Sequence, residues 1–249
     1  MQLDKKEMEV FEKIILFSLI PVFTMITGGI VAVIRKPNGN IRSLILHFAA
    51  GVVFSVVAVE LLPDIVRTHA PLPLIFGFSL GFLVMIGIRK FAEVKENITA
   101  SIAKNKIPVS LLIAIAVDVF IDGLLLGIGF TAGNTEGTLL AIALSVELLS
   151  LGMATASELG SNSVSKQKSI VLIVLLAIVF FISAVLGASL LHNLSHKALE
   201  IVLSFGLSAL LFLVTEELLI EAHEEKETVW HTSVFFAGFL LFVILGMMV

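Results

Sequence analysis

Eight apolar segments constrain this chain most, because each has about the 20 residues that a helix needs to cross a bilayer. They are residues 14–34, 44–66, 72–88, 108–130, 137–158, 169–191, 198–220 and 230–249. Hydrophobic residues make up 58% of the chain and charged residues 14%, which excludes an ordinary soluble globular domain. The sequence therefore predicts an all-α, polytopic membrane protein with eight transmembrane helices.

The connections between these segments leave little room for a soluble domain. The longest, residues 89–106, is about the size of one amphipathic helix, so we expect a single transmembrane domain over residues 1–249. The chain has no cysteine, which excludes disulfides and thiolate metal ligands. No basic patch with interleaved aromatic residues occurs, so we expect the lipid bilayer, and no nucleic acid, as a partner.

Lysine and arginine are distributed unequally between the two sides of the predicted bundle. Eleven of the 16 lie in the connections that follow segments 1, 3, 5 and 7. Since cytoplasmic connections carry the excess of positive charge, we expect both termini to face outward. No cleavage motif of small residues follows the first segment, so we expect that segment to be retained. We expect a multi-pass protein of the plasma membrane.

Three carboxylates lie near the middle of the fourth and fifth segments: Asp118, Asp122 and Glu147. An ionised side chain at that depth costs at least ~2.5–3.5 kcal/mol, so such residues usually face a cavity, a partner or an ion. Asp118 and Asp122 are one helical turn apart, so their charges repel unless a cation or a proton lies between them. We interpret the three acids as a cation site. The alternative is that they are protonated and hydrogen-bonded between packed helices.

The chemistry of such a site follows from its ligands. Carboxylate oxygens suit magnesium, manganese, iron(II) or zinc better than copper(I). The glycines at 123 and 152 each lie five residues after an acid, and we expect them to let the fourth and fifth helices approach closely. Three hydroxyl side chains on the fifth segment are candidates for additional weak oxygen ligands: Ser145, Ser150 and Thr155.

The second and seventh segments form an internal repeat. Residues 48–64 align without a gap to residues 205–221, with five identical pairs: Phe48/Phe205, Val57/Val214, Glu60/Glu217, Leu61/Leu218 and Leu62/Leu219. In both segments another acid follows four residues later, at Asp64 and Glu221. Because the two segments run in opposite directions across the membrane, the repeat is inverted, a pattern typical of secondary transporters.

Other polar residues lie near the segment ends. We expect Glu60 and Asp64 at the outer mouth of a pathway and Glu217 and Glu221 at the inner mouth; the alternative is that they simply reach the interface. Pro63 is interpreted as a helix stop. The histidines, interpreted as solvated side chains rather than ligands, are His47, His69, His192, His196, His223 and His231.

These residues resemble the ZIP family of divalent metal transporters. Residues 48–64 are similar to that family's second span, and the seventh span repeats part of it at residues 217–219. In the fourth span the family pattern His-Asn-x-x-Asp/Glu-Gly has Asp118 at the histidine, Asp122 at the acid and Gly123 at the glycine. Glu147 falls at the first ligand position of the fifth span; a shift of two residues would place Ser145 there instead. We prefer Glu147 because its distance from Gly152 repeats the spacing in the fourth span.

The resemblance implies a 3+2+3 inverted-repeat arrangement. Residues 1–88 would form the first three-helix repeat, 108–158 the central helix pair that carries the site, and 169–249 the second three-helix repeat. The family has two adjacent metal sites, but the positions that the second one needs are apolar here: Val119, Leu148 and Leu151. We therefore expect one carboxylate site formed by Asp118, Asp122 and Glu147.

By this resemblance the chain is a transporter that moves a divalent cation such as zinc, iron or manganese toward the cytoplasm. The ion is the substrate, and we expect no organic cofactor and no enzymatic activity, since no histidine lies at the depth of the acids to hold a catalytic zinc. The alternative is a ZIP-like membrane protein that no longer transports and acts as a metal or proton sensor, or as a partner subunit. The sequence leaves the oligomeric state open, a homodimer included.

Overall fold

The computed structural model describes residues 2–35, 37–100, 109–191, 195–223, 226 and 228–248. Side chains are described for these residues except at 2–10, 60, 91–100, 110, 111, 114, 131, 132, 190, 191 and 196. The described chain forms eight long helices in sequence: α1 Gln2–Ile34, α2 Gly39–Arg67, α3 Pro71–Ala100, α4 Val109–Ala132, α5 Asn134–Ser161, α6 Lys166–Leu191, α7 residues 196–222 and α8 Val229–Met248. No strand occurs in these ranges, which confirms the all-α prediction.

Each predicted apolar segment coincides with one helix. Seven of the helices described are long and apolar enough to cross a membrane, judged by length and composition. The other, α4, is a 24-residue helix that carries Asp118 and Asp122. Large apolar side chains such as Phe23, Phe76 and Leu83 are exposed on the outside of the bundle. An apolar exterior of this extent fits lipid rather than water, and hence an integral multi-pass membrane protein.

The helices pack in a regular set of pairs. Helix α1 packs along α5 and α4 packs along α6, while α1 and α6 also contact each other. Helix α2 packs along α8, and α3 packs along α7. The helices α1, α4, α5 and α6 thus form one group, and α2, α3, α7 and α8 form the other.

The predicted close approach of α4 and α5 through Gly123 and Gly152 is wrong. A Cβ atom at Gly152 would lie 2.2 Å from the carbonyl oxygen of Met25, which is on α1. A Cβ atom at Gly123 would lie 2.4 Å from the carbonyl oxygen of Phe180, which is on α6. The two glycines therefore let α5 contact α1 and α4 contact α6 backbone to backbone, as small residues do in membrane bundles. Spacing along one helix could not reveal which neighbour each glycine faces.

Two helices contain a π-helical stretch. In α2 it covers Val57–Leu61, and in α7 it covers Leu213–Leu218. Pro63 follows the first stretch and does not end the helix, which continues to Arg67, so the predicted helix stop is wrong. The position of Pro63 explains this, because its missing N–H falls in the turn where the π-helical hydrogen bonds give way to α-helical ones. Helix α7 has its π-helical stretch although it contains no proline, so a proline is not required for such a stretch.

Candidate metal centre

The three predicted carboxylates meet at one place between α4 and α5. Asp118, Asp122 and Glu147 each offer an oxygen atom, and these atoms all lie within 4.8 Å of one another. The three side chains are 8%, 3% and 1% exposed. Because Asp118 and Asp122 are one turn apart on α4, they present their carboxylates to Glu147 from the same helical face. An ion at the centre of this group would meet oxygen ligands from two helices.

Several oxygens of this group have no hydrogen-bond donor. Oδ2 of Asp122 and both carboxylate oxygens of Glu147 are buried without a hydrogen-bond partner. Asp122 and Glu147 are close enough to share a hydrogen bond, but only if one of them carries a proton. Unpaired buried oxygens are uncommon, and each normally has an explanation such as an ion, a proton or a water molecule.

If all three carboxylates are ionised, their mutual repulsion needs to be balanced by positive charge. Two unit charges about 5 Å apart repel by roughly 3 kcal/mol at an effective dielectric constant of about 20. Three ionised carboxylates would therefore cost on the order of 10 kcal/mol, which is comparable with the whole stability of a typical protein. A divalent cation removes this repulsion directly, and protons do so partly. The arrangement can therefore bind a cation, and binding would compete with protons.

A fourth acid, Glu217, lies near the same centre. It is on the π-helical stretch of α7 and interacts electrostatically with Asp118, Asp122 and Glu147. The sequence placed it at the inner mouth of a pathway, because it lies near the end of its apolar segment. In the structure it belongs to the second helix group and lies near enough to repel the charges of the three acids, although it is not part of their group of converging oxygens. π-helical turns often occur at functional sites.

The three hydroxyl side chains predicted on α5 as additional weak ligands donate hydrogen bonds within their own helix. The hydroxyl of Ser145 donates to the carbonyl of Ala141 at 2.6 Å, and that of Ser150 donates to the carbonyl of Glu147 at 2.6 Å. Thr155 donates to the carbonyl of Leu151 at 2.7 Å. None of the three belongs to the group of converging ligand atoms.

The three positions at which the sequence resemblance places the ligands of a second metal site belong to the apolar core. Val119 and Leu148 are fully buried among apolar side chains, and Leu151 packs against that core. A metal site needs polar donors within ligand distance, and these three side chains have none. The described centre is therefore a single carboxylate cluster.

Two of the predicted mouth residues, Asp64 and Glu221, lie at opposite ends of the bundle. Asp64 forms an ion pair with Arg67 at 3.6 Å and lines a small cavity of about 20 Å³ together with Glu136. The side chain of Glu60 lies outside the described residues. Glu136 was missed in the sequence because one acid in the first turn of a helix is a common N-terminal feature.

At the other end of the bundle, Glu221 forms an ion pair with an arginine side chain. Its carboxylate accepts a hydrogen bond from the guanidinium of Arg42 on α2. Arg89 on α3 makes a similar bond to Glu216 on α7. These pairs bind α7 to its neighbours in the second helix group. Glu221 therefore connects α7 to α2 at this end of the bundle.

Two of the histidines interpreted as solvated are buried. His47 and His231 are 3% and 1% exposed, so that interpretation is wrong for both. The reason is that the start of α8 folds against α2 and covers the two rings. His69 and His223 are exposed, as expected. His192 and the side chain of His196 lie outside the described residues.

Comparison with known proteins finds no family model and no curated protein that match this chain.

Proposed function

We propose that this protein is a carrier of divalent metal cations of the ZIP type, and not an enzyme. The observation that carries this proposal is the cluster of Asp118, Asp122 and Glu147, whose oxygens converge within 4.8 Å in a buried position. Three like charges at that separation need a cation or protons, and the cluster lies in the middle of two helices of a membrane protein. Intramembrane acids of this kind typically mark ion pathways.

The ligand set indicates the class of substrate. All three side chains supply hard oxygen atoms, and no imidazole or thiolate belongs to the cluster. Such a set suits manganese, iron(II) or zinc and disfavours copper(I). The ion is the transported substrate rather than a resident cofactor.

An inverted 3+2+3 repeat is part of the proposal, and two observations support it. The π-helical stretch Val57–Leu61 falls on Val214–Leu218 in the alignment of the two segments, and Leu213–Leu218 is π-helical. The packing of the helices fits the same repeat. If α1, α2, α3 and α4 correspond to α6, α7, α8 and α5, then the packed pair of α2 and α8 corresponds to the packed pair of α7 and α3. The pair α1 and α5 likewise corresponds to α6 and α4. Repeats of this kind place substrates at their interface.

The two helix groups suggest how the ion moves. The three ligands belong to the group α1, α4, α5 and α6, whereas Glu217 interacts with them from the group that contains α7. If the first group rocks against the second, the ion travels with its ligands while Glu217 stays with α7. Glu217 would then stabilise the positive charge at one stage of the cycle, and Glu221 would lie one turn farther along the same helix. The cavity beside Asp64 and Glu136 would serve the opposite mouth.

The remaining expectations belong to the same proposal. Both termini would lie outside, and the plasma membrane would be the location, with transport directed toward the cytoplasm. The partners would be the bilayer and the cation, either in a monomer or in a homodimer.

Metal content of the purified protein tests the proposal at the level of binding. We expect the wild type to retain close to one divalent ion per chain after dialysis and Asp122→Asn to retain much less, measured by elemental analysis. Uptake assays with Asp118→Ala and Glu147→Ala then test transport. Equal uptake of every divalent ion by both variants and the wild type would contradict the proposal.

A transport-inactive sensor or partner subunit is the second candidate, and the apolar side chains at Val119 and Leu148 favour it. Both are fully buried where the family's second site needs polar ligands. A protein with one site can bind an ion and signal its presence without moving it. Equilibrium binding without flux in liposomes distinguishes this function from the first.

A further inference from the structure

An apolar crevice of about 270 Å³ lies at the seam between the two helix groups. One wall is formed by α4 and α6, which belong to the first group, and the other by α3 and α7, which belong to the second. Its lining consists of apolar side chains and one glycine, and it includes Leu124 and Leu125 of α4 and Val202 and Phe205 of α7. The three acids of the carboxylate centre do not line it. The crevice is therefore a separate feature of the described bundle.

The crevice exists because two helix pairs are packed tightly while the seam between them is not. A Cβ atom at Gly187 on α6 would lie 2.6 Å from the carbonyl oxygen of Leu124, so α4 and α6 touch backbone to backbone. A Cβ atom at Gly77 on α3 would lie 2.2 Å from the carbonyl oxygen of Ile201, which shows the same close contact between α3 and α7. Between the two pairs, the backbone of α7 meets the side chain of Leu125 on α4. Side chains keep the two pairs apart here, and the crevice is the space that they leave.

The crevice is continuous with the lipid-facing exterior of the bundle. Its edge residue Leu80 is 43% exposed and lies on one face of α3 with Phe76 and Leu83, which are 62% and 64% exposed. Along α4 the lining runs from Ile121 to Ile128, a rise of about 10 Å at roughly 1.5 Å per residue. That length is about two thirds of one leaflet of a hydrocarbon core ~30 Å thick. Lipid that covers this surface therefore has direct access to the crevice.

Water does not suit this crevice. A buried water molecule needs two to four polar partners, and the described lining offers no polar side chain. An engineered apolar cavity of about 150 Å³ stays dry and binds benzene instead, and the bilayer core supplies hydrocarbon rather than water. We propose that one acyl chain of a membrane lipid occupies the crevice and packs between the two helix groups. The ligand is recognised by its hydrocarbon chain and not by its headgroup.

A bound chain would contact both helix groups at once, through Leu124 on α4 and Val202 on α7. Lipid tails are as apolar as leucine, so the gain comes from filling a void with van der Waals contacts rather than from leaving water. The chain therefore stabilises the arrangement of the two groups that is described above. The site stands independently of the proposed function, since it requires neither a metal ion nor transport.

Binding of a spin-labelled lipid to the full chain tests the proposal. The protein is stripped of lipid in digitonin, a steroid detergent without an alkyl chain that could compete, and is titrated with phosphatidylcholine that carries a nitroxide on one acyl chain. Electron paramagnetic resonance separates an immobilised chain from the fluid ones. We expect the immobilised signal to saturate at one lipid per protein chain. Unlabelled dioleoylphosphatidylcholine and dioleoylphosphatidylglycerol should displace it equally well, and glycerophosphocholine, which has no acyl chain, should not.

Two variants fill the crevice. Val202→Phe extends into it from α7 and should raise the Kd of the immobilised lipid at least about tenfold, because the added ring competes with the chain for space. Leu80→Phe does the same from the partly exposed edge on α3, where a larger side chain leaves the folded core intact. Val171→Phe is the matched control, since Val171 is 58% exposed on α6 and does not line the crevice. It should bind the lipid like the wild type.

The proposal is overturned if the wild type shows no saturable immobilised signal. It is also overturned if Val202→Phe and Leu80→Phe bind with the wild-type affinity, or if Val171→Phe weakens binding as much as they do. A dimer that dissociates in Val202→Phe, with no lipid immobilised in the wild type, would show instead that a second copy of the chain fills the crevice.

Discussion

Asp122 on α4 and Glu147 on α5 place their carboxyl groups within hydrogen-bonding reach of each other in a buried position. Three of their four oxygens are buried and have no donor. Two acids can share a hydrogen bond only if one is protonated, and they can share a cation only if both are ionised. The contact can therefore be stabilised in two alternative ways, by a proton or by a cation.

Replacing Asp122 by asparagine should stabilise the metal-free protein and prevent its stabilisation by metal. The amide has nearly the same shape, removes one repelling charge and can donate to Glu147, so we expect a gain of about 1–3 kcal/mol without metal. Thermal unfolding in detergent with a chelator measures this gain. With a divalent ion present at about 100 times its Kd, the wild type should gain about 2.7 kcal/mol and the variant almost nothing. Equal stabilisation of both proteins by the ion would contradict this prediction.

Replacing Gly152 by alanine should destabilise the contact between α5 and α1. The added methyl would lie 2.2 Å from the carbonyl oxygen of Met25, so the two backbones must separate at a cost of about 1–3 kcal/mol. Gly160→Ala is the matched control on the same helix, because a Cβ atom there has no neighbour within 4 Å. It should be neutral or stabilise the helix by up to about 1 kcal/mol. A lower melting temperature for the control than for Gly152→Ala would show that this contact is described wrongly.

The ion pair of Arg42 and Glu221 should contribute more to stability than that of Asp64 and Arg67. The first pair joins α2 to α7 with side chains 33% and 28% exposed, whereas the second lies within one helix and is 43% and 80% exposed. Double-mutant cycles with glutamine or asparagine should give a coupling of about 1 kcal/mol or more for the first pair. The second pair should give about 0.3–0.5 kcal/mol or less. If the two couplings are equal, Arg42 and Glu221 do not hold the helices together.

Replacing Glu217 by glutamine should slow transport more than it weakens equilibrium binding. Glu217 acts on the three ligands through its charge and is not among the closest oxygens, so the Kd should rise by less than about tenfold. Calorimetric titration of the purified protein measures this change, and Glu200→Gln on the same helix is the control. Loss of all binding in Glu217→Gln would instead make this residue a fourth ligand. Unchanged binding and unchanged flux would remove it from the site.

The sequence predicts the parts of this structure that depend on hydropathy and position along one helix. The eight helices follow from eight apolar segments, and the meeting of Asp118 with Asp122 follows from the helical repeat. Their contact with Glu147 was expected because the cost of burying isolated acids favours a shared site.

The sequence does not predict which face of each helix meets which neighbour. Gly123 and Gly152 contact α6 and α1, and only the packed bundle shows this. Glu217 lies in a π-helical stretch of α7 and interacts electrostatically with the centre, and neither propensity nor hydropathy indicates that stretch. The burial of His47 and His231 depends on the position of α8 against α2, which no local pattern specifies.

Flux through purified protein in liposomes tests the carrier most directly. We predict that the wild type carries manganese, iron(II) or zinc into the liposomes and that Glu147→Gln reduces the initial rate at least about tenfold, since it removes one of three ligands. Glu158→Gln, an exposed acid on the same helix, should retain the wild-type rate. The carrier account is contradicted if Glu147→Gln transports every one of these ions at the wild-type rate, or if the wild type binds an ion but transports none.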